Sequence, residues 1–502
     1  MTNVPVIVGV GQVANKQDDR IVHPVALLEA ASRLAFDDAG ADLAPHVRAV
    51  YSAPLSVFSE EHGGAMVAAR LGLADGPRVQ SNYSGAGAQR LLADACTEIA
   101  AGRVDAALLV GGVADASVRR AREGGHNAPA PPTSMWSQGS SGTGQLERVL
   151  RGREWPFSAE QGSGAGMPSA LFAIIESAMA DEAGRTPDEH RQFLGELLAP
   201  FTDVAATRPD VAWFPRSRSA AEIATVSADN RFVAEPYTKL MCSFPTVDLA
   251  AAIAVVSSEL ADRLGIAADR RVHPLALTLG RDIGPASVRP EIGRSRGLTW
   301  TVERALEAAA LAPDEIEAFD LYSCFPSAVQ LGMTAFGIDA GDRRPRTLTG
   351  GLPYFGGPGA AYTFHGIASM VERCRTNGGR VGAVVGVGGA ADDFSVGLYA
   401  ADYSGGPHVI ETEPSIPDDT PVPVTRTGDG VGVVVAATVL HERDAGPVAA
   451  PVIARLPDGT RIGARALDPG LPATLSGRQI VGHEVQITSV DDKAFYEPTA
   501  AL

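Results

Sequence analysis

A repeat inside the chain limits the fold more than any other feature. "GRVDAALLVGGVADA" (102–116) and "GRVGAVVGVGGAADD" (379–393) share the GRV start, the central Val-Gly-Gly and the Ala-Asp that follows. Each is a short apolar run behind a stretch with helical spacing, "AQRLLADACTEIAA" before one and "HGIASMVERCRTN" before the other. A helix, a glycine turn and a buried strand make half of a β-α-β unit. The flanking helices match as well as the strands, so duplication explains the likeness better than chance. A second echo agrees. "ALLEAASRLAFDDAGADLAPHVRAVYSA" (26–53) and "TVERALEAAALAPDEIEAFDLYSC" (301–324) both read helix, loop, strand, and both strands carry Tyr-Ser. The strand "VPVIVGVGQV" (4–13) corresponds in role to "HPLALTLGRD" (273–282). The expected class is therefore α/β: two similar halves, each a mostly parallel sheet covered by helices.

The 502 residues exceed what one hydrophobic core supports, so several packed units are expected. The first half is placed at 1–272, with a long insertion at 114–230 that includes helices at 168–182 and 187–198. The second half is placed at 273–402. Beyond it the pattern shifts to short strands, such as "GVGVVVAATVLHE" and "IVGHEVQITSV", with "PDGT" as a hairpin signal. This small all-β domain, 410–502, follows the proline-rich "ETEPSIPDDTPVPV". The net charge of −17 disfavours nucleic acid and anionic membranes as partners. The four cysteines (Cys96, Cys242, Cys324, Cys374) form no metal-type spacing and suit a reducing compartment. The N-terminus lacks the pattern of a signal peptide and no apolar run reaches the length of a membrane span, so a cytoplasmic location is expected. "VGVGQVA" (8–14) matches a dinucleotide fingerprint, but its helix starts only near Pro24, and nicotinamide binding is rejected.

Three segments carry a family resemblance. "GGLPYFGGPGAA" (350–361) resembles the thiolase loop GGxxxxGHPxGA. "DLYSCFPSAVQ" (320–330) resembles the strand-end motif, NEAF or HDCF in thiolases. "NRFVAEPYTKLMCSFPTVDLAAAIAVVSSELADRLG" (230–265) resembles the segment that precedes the second half. Over roughly residues 3–402 the chain is similar to the thiolase superfamily. Its last domain resembles the OB-like appendage of the thiolase-like proteins, type 1, relatives of the sterol-carrier-protein-type thiolases. The resemblance implies a duplicated thiolase fold with a C-terminal OB-like domain. It also implies acyl-transfer or carbon–carbon bond chemistry on a CoA thioester, which is substrate or ligand, with no bound cofactor and no metal. A homodimer, or a protein partner met through the C-terminal domain, fits the same resemblance.

The departures are chemical. Where thiolases carry a nucleophilic cysteine at a helix start, "SNYSGAGAQ" (81–89) has Ser84, read first as the N-cap of a helix at 86–101. Gly357 stands at the place of the GHP histidine, and "GVGGAADD" (386–393) holds no cysteine. The candidate catalytic groups are then Tyr322, Cys324, His365, Ser84 and Tyr354. Gly350, Gly351, Gly356, Gly357, Gly388 and Gly389 are the candidate ligand-binding positions, because glycine lets a ligand approach backbone N–H groups. Each candidate also has a structural reading: Tyr322 as core with a satisfied hydroxyl, Cys324 as a small apolar residue, His365 as a partner of a neighbouring strand. Tyr322, Cys324 and the loop 350–359 are expected to line one pocket facing Ser84. The alternative functions are retro-aldol cleavage of a β-hydroxyacyl-CoA such as a sterol side chain, and non-catalytic acyl-CoA binding or scaffolding.

Overall fold

The structure, a computed structural model, describes residues 3–17, 19–56, 62–125, 148–150, 158–376, 378, 380–403, 409–411 and 420–500. Two stretches of the expected insertion (126–147 and 151–157) and most of the proline-rich linker lie outside these residues.

The first sheet contains β1 (Pro5–Ala14), β2 (Ala49–Ser52), β3 (Arg78–Ser81), β4 (Ala106–Ala114) and β5 (Arg148–Leu150). Two short strands, β6 (Phe232–Ala234) and β7 (Tyr237–Thr238), follow the insertion, and β8 (Asp248–Ser257) completes the sheet in the order β1-β8-β4-β2-β3-β5. β8 runs antiparallel to both its neighbours, while β4, β2, β3 and β5 are parallel. The second sheet is built from β9 (His273–Arg281), β10 (Ile316–Asp320), β11 (Val381–Gly388), β12 (Asp393–Ala400) and β13 (Val409–Glu411), ordered β10-β11-β12-β9-β13. Here β12 is antiparallel to both neighbours and β10 is parallel to β11. The N–H groups of Phe319 and Leu321 donate to the carbonyls of Pro345 and Arg346 at 2.8 and 2.9 Å. That extended segment stands beside β10 as β3 stands beside β2. Both halves thus share one strand order and one polarity, which is the duplication seen in the sequence.

The helices Gly87–Ala100 and Tyr362–Thr376 lie between the two sheets and touch both. The helix Pro24–Ala39 covers the outer face of the first sheet, and Arg296–Ala309 covers that of the second. Proline at the first turn and a left-handed Gly40 just past the end set the limits of Pro24–Ala39. The glycines of the fingerprint-like "VGVG" serve this helix. A Cβ at Gly9 or Gly11 would lie 1.9 or 2.1 Å from the carbonyl oxygens of Ala35 and Ala31.

In the insertion, helices run over Pro168–Glu182 and Pro187–Ala206; the second is longer than the sequence suggested, carrying Pro200 inside it. After 420 the chain forms β14 (Val424–Thr425), β15 (Gly430–Ala437), β16 (Leu440–Glu442), β17 (Gly446–Ala449), β18 (Val452–Arg455), β19 (Arg461–Ala466), β20 (Glu484–Val490) and β21 (Lys493–Pro498). The order β19-β18-β15-β20-β21, closed by β19–β21 pairing, is a five-stranded barrel with its own core around Val434, Ile462 and Ile487. β16 leaves the barrel to pair with β6, just past the insertion. The expected domain start at 410 falls inside β13, which pairs with β9, because Val409–Glu411 finds an open sheet edge there.

Candidate functional site

At the end of β3 the chain turns through Asn82–Ala86 into the helix Gly87–Ala100. Ser84 does not cap that helix: the N-cap residue is Ala86, without a side-chain cap. The Ser84 hydroxyl accepts from the Ala86 N–H at 3.1 Å and donates to Asp393 Oδ2 at 2.7 Å. Asp393, the first residue of β12, is also paired with Arg90 at 3.1 Å and lies 4.0 Å from Arg281. Ser84 is therefore a buried link between the halves, with its proton already committed to a carboxylate.

The strand carrying Tyr322 is shorter than expected. β10 ends at Asp320, whose Oδ1 accepts from Thr347 Oγ1 (2.9 Å) and the Leu348 N–H (3.0 Å), so the chain leaves the ladder to hold the segment before the glycine loop. Tyr322 lies just past the carboxyl end, where its phenol reaches the first-half turn. A Cβ at Gly85 would sit 2.7 Å from the Tyr322 hydroxyl and 2.2 Å from the Val387 carbonyl oxygen. The Tyr322 ring packs edge-on against Tyr362 at 5.5 Å. Burial pushes its pKa well above the ordinary phenol value, with Cys324, Tyr83 and Tyr362 adding to the shift. Tyr322 is thus a neutral hydrogen-bond donor. The Cys324 thiol is raised by burial, only partly offset by the N–H groups of Phe325 and Cys324, which leaves it a poor nucleophile. The Cys324 carbonyl accepts from Ser243 at 2.9 Å.

Tyr354 and His365 take different places. Tyr354 is fully buried on the glycine loop, with its hydroxyl unpartnered among the described residues. His365 is equally buried; its Nδ1 pairs with Gln12 Oε1 of β1 at 2.8 Å and its ring packs edge-on against Phe355 at 4.9 Å. Burial and Arg208 bring its pKa down to about 3, so the imidazole is neutral. Among the described residues the imidazole's hydrogen-bond partner is that strand residue, which is the structural reading of His365.

Protein atoms occupy the space beside the candidate glycines. A Cβ at Gly350 would lie 2.6 Å from Ala205 Cβ, and one at Gly351 2.7 Å from Phe201, both on the helix Pro187–Ala206. At Gly356 the nearest atom would be Leu249 Cδ1 at 2.9 Å, and at Gly357 Ser243 Oγ at 2.0 Å. A Cβ at Gly388 would lie 2.0 Å from Ser84 Oγ, and one at Gly389 1.9 Å from Asp392 Oδ1. Close protein packing is enough to require glycine at these positions. The insertion fastens the loop further: Trp213 and Phe214 donate to the carbonyls of Phe355 and Tyr354 at 2.8 and 2.9 Å.

No family model and no curated protein sequence matches the chain. Solved structures do. A crystal structure of a monomeric SCP2-thiolase-like protein type 1 from Mycobacterium smegmatis aligns with a TM-score of 0.81 at 27% identity, covering 99% of this chain and 100% of that one. The chain is thiolase-like, with an OB-like barrel at the end of the fold. An acetyl-CoA acetyltransferase from Syntrophomonas wolfei aligns at 17% identity and TM-score 0.58, over 80% of this chain and 100% of that one. A chain of the Ltp2-ChsH2(DUF35) aldolase aligns at 18% and 0.58, over 80% and 99%. The M. smegmatis alignment extends over the barrel, and the other two leave a fifth of this chain unmatched.

On this thiolase-like frame two carboxylates stand out that the motif reading passed over. Asp115 and Asp392 are the aspartates that follow Val-Gly-Gly in the two repeats. Each follows the end of a strand, β4 or β11. Asp115 Oδ2 accepts from Ser56 at 2.9 Å, while its buried Oδ1 has no partner among the described residues. Burial raises its pKa to about 6, against the Ser56 hydrogen bond, with Asp248 contributing. Asp392 is buried, with Oδ1 bonded to the Ala390 N–H at 2.8 Å and Oδ2 unpartnered. Its pKa rises to about 7, chiefly by burial, with Arg289 opposing and Asp393 adding. Burial is the main cause of the raised Tyr83 pKa, and the charge of Asp115 adds to it. Tyr83 itself presses on the glycine loop, its hydroxyl 2.2 Å from where a Cβ of Gly359 would lie. Among the described residues no group of three His, Cys, Asp or Glu is arranged to hold a metal, and no helix is long and apolar enough to cross a membrane.

Proposed function

We propose that this thiolase-like chain makes or breaks a carbon–carbon bond next to a CoA thioester by proton transfer, without an acyl-enzyme, and that retro-aldol cleavage of a β-hydroxyacyl thioester is its form. The supporting observation is the contrast at one turn: the Ser84 hydroxyl is tied up as a hydrogen-bond donor to Asp393, while the Tyr322 hydroxyl stands against Gly85, at the place where the two halves meet. In the cleavage a carboxylate takes the β-hydroxyl proton, the carbon–oxygen bond becomes a carbonyl, and the Cα–Cβ bond breaks. Its electron pair passes into the thioester enolate, and the acid formed then returns the proton to the α-carbon. Tyr322 donates to the enolate oxygen, a role that suits a phenol too weakly acidic to ionise. Asp115 is the base, since a carboxyl with a pKa of about 6 holds and releases a proton near neutrality. One of the similar structures is an aldolase complex, which supports this class of reaction.

The test incubates the purified chain with short and sterol-side-chain β-hydroxyacyl-CoA esters and follows release of an aldehyde or ketone. Tyr322→Phe is expected to lower turnover by about a hundredfold while thioester affinity stays within about twofold. Intact-mass analysis is expected to show no acyl group on Ser84. An acyl-Ser84 adduct that turns over in thiolysis, or full activity in Tyr322→Phe, overturns the reading. The filled space beside the loop glycines favours a second reading, a chain that binds acyl-CoA or a protein partner without turnover. Saturable acyl-CoA binding with no product would select it.

A further inference from the structure

The role of the C-terminal barrel can be read from a chain of contacts that ends at Ser84. Arg461, the first residue of β19, is buried at the barrel's base. Its guanidinium donates to three carbonyls of the 284–294 segment: Ser287 at 3.0 Å, Pro290 at 2.8 Å, and Arg289. The linker adds a backbone bond to the same segment, Val422 N–H to the Val288 carbonyl at 2.8 Å. Arg289, held in this way, extends a buried guanidinium to the Ala391 carbonyl and lies 3.2 Å from Asp282. Ala391 is a non-glycine residue at φ +60, a conformation that needs support from its surroundings. It sits in the turn between β11 and β12, closed by the Asp392 N–H on the Gly388 carbonyl at 3.3 Å. That turn sets Gly388 against Ser84 and delivers Asp393 to the Ser84 hydroxyl.

We propose that the barrel is a positioning arm of the candidate site, in which Arg461 fixes the turn 388–392 through Arg289 and so sets the Ser84–Asp393 junction. Arg461 touches neither Ser84 nor Asp393 and acts only through the loop it clamps. The relay is a contiguous set of packed, hydrogen-bonded groups, which is the physical requirement for coupling between distant residues. That the junction belongs to a functional site rests on the reading given above; the relay itself does not.

The experiment uses the full-length chain and hydrogen-exchange mass spectrometry. Arg461→Gln is expected to speed exchange about tenfold or more in 284–294 and also in 386–394, with the barrel strands β15 and β20 unchanged. Arg461→Lys, which keeps the charge and one donor reach, is expected to restore part of the protection. Arg465→Gln is the control: Arg465 docks the same strand through the Gly162 carbonyl at 3.3 Å and makes no bond to the 284–294 segment. It is expected to leave 386–394 unchanged. Faster exchange limited to 284–294, or equal loosening of 386–394 by Arg465→Gln, overturns the proposal. If Arg461→Gln unfolds the barrel, Val422→Pro, which removes the N–H bonded to Val288 and leaves Arg461 in place, gives the same comparison. Acetyl-CoA binding measured on the same variants separates the two readings: a loosened turn with no acetyl-CoA binding in any variant retains the relay and sinks the CoA reading.

Discussion

Gly388→Ala and Ser84→Ala should be strongly non-additive. A Cβ at position 388 would lie 2.0 Å from Ser84 Oγ, 3.0 Å from Ser84 Cβ and 3.2 Å from Asp393 Oδ2. The first distance forces the hydroxyl to leave its 2.7 Å bond to Asp393. Gly388→Ala alone therefore loses a charge-assisted hydrogen bond, about 1.5–3 kcal/mol, and adds overpacking strain of about 1–3 kcal/mol. Ser84→Ala alone loses the bond but leaves Asp393 with Arg90, costing about 1.5–3 kcal/mol. In the double variant the bond is already gone and the collision at 2.0 Å has no partner atom; only the two tight contacts near 3 Å remain. The double variant should be less damaged than the sum of the singles by about 2 kcal/mol, within the usual range for touching residues. A chain of this size need not unfold in one step, so the assay is native-state hydrogen exchange over 82–100 and 386–396. Additivity within about 0.5 kcal/mol would refute the geometry of the junction.

Asp392→Asn should stabilise the chain increasingly as pH rises. The folded-state pKa of about 7 lies above the ordinary 3.8, so the carboxyl's contribution is fully present below about 4 and lost as pH rises through 7. The gap between variant and wild type should grow across that window and then level off, which thermal melts at pH 4, 6 and 8 would show; a flat gap counts against it. Tyr354→Phe should raise thermal stability by about 1 kcal/mol in ligand-free protein, because it removes a buried hydroxyl without a partner among the described residues; a loss of stability would mean that the hydroxyl is bonded. Glu235→Gln should loosen the barrel, since Glu235 accepts from His441 Nε2 at 2.7 Å, Ser476 Oγ at 2.5 Å and the Gly477 N–H at 2.8 Å. Faster hydrogen exchange at 438–442 and 476–478 would be the sign, and unchanged exchange would contradict it.

The fold was legible because duplication writes the same strand–helix grammar twice. Matching "GRVDAALLVGGVADA" to "GRVGAVVGVGGAADD" placed β4 and β11, and the shared strand order follows from that. The site was harder to read. A glycine-rich loop looks the same in sequence whether a ligand or a protein helix lies against it; here Phe201 and Ala205 fill the space at Gly351 and Gly350. Ser84 looked like a helix cap because its partner, Asp393, is remote in sequence and belongs to the other half. Tyr322 was placed within the strand, while Asp320 spends its side chain on Thr347 and the chain departs early. Asp115 and Asp392 were visible as the shared Ala-Asp of the repeat, yet only burial separates a chemically poised carboxyl from an ordinary turn aspartate.

The repeat also explains how one of these aspartates can serve chemistry and the other structure. Duplication gives both halves a carboxyl after the Val-Gly-Gly strand, but their neighbours differ. Asp392 faces the Arg289 guanidinium, which the 284–294 segment and the barrel hold in place, and its own backbone carbonyl accepts from Asp282 at 3.0 Å. Asp115 accepts a hydrogen bond from the Ser56 hydroxyl, and the charge of Arg122 is the last and weakest influence on it, after burial, Ser56 and Asp248. A carboxyl beside a fixed cation is anchored, and one beside neutral donors can exchange its proton with a bound molecule. The second half therefore supplies the rigid side of the junction, through Asp393 and the turn before it. In the proposed reaction the first half supplies the proton-exchanging side, and Tyr322 reaches from the second half to Gly85. A substrate held there would meet a donor and an acceptor from opposite halves, with the former nucleophile position closed by Ser84. That arrangement suits a reaction that moves a proton and leaves the protein unmodified.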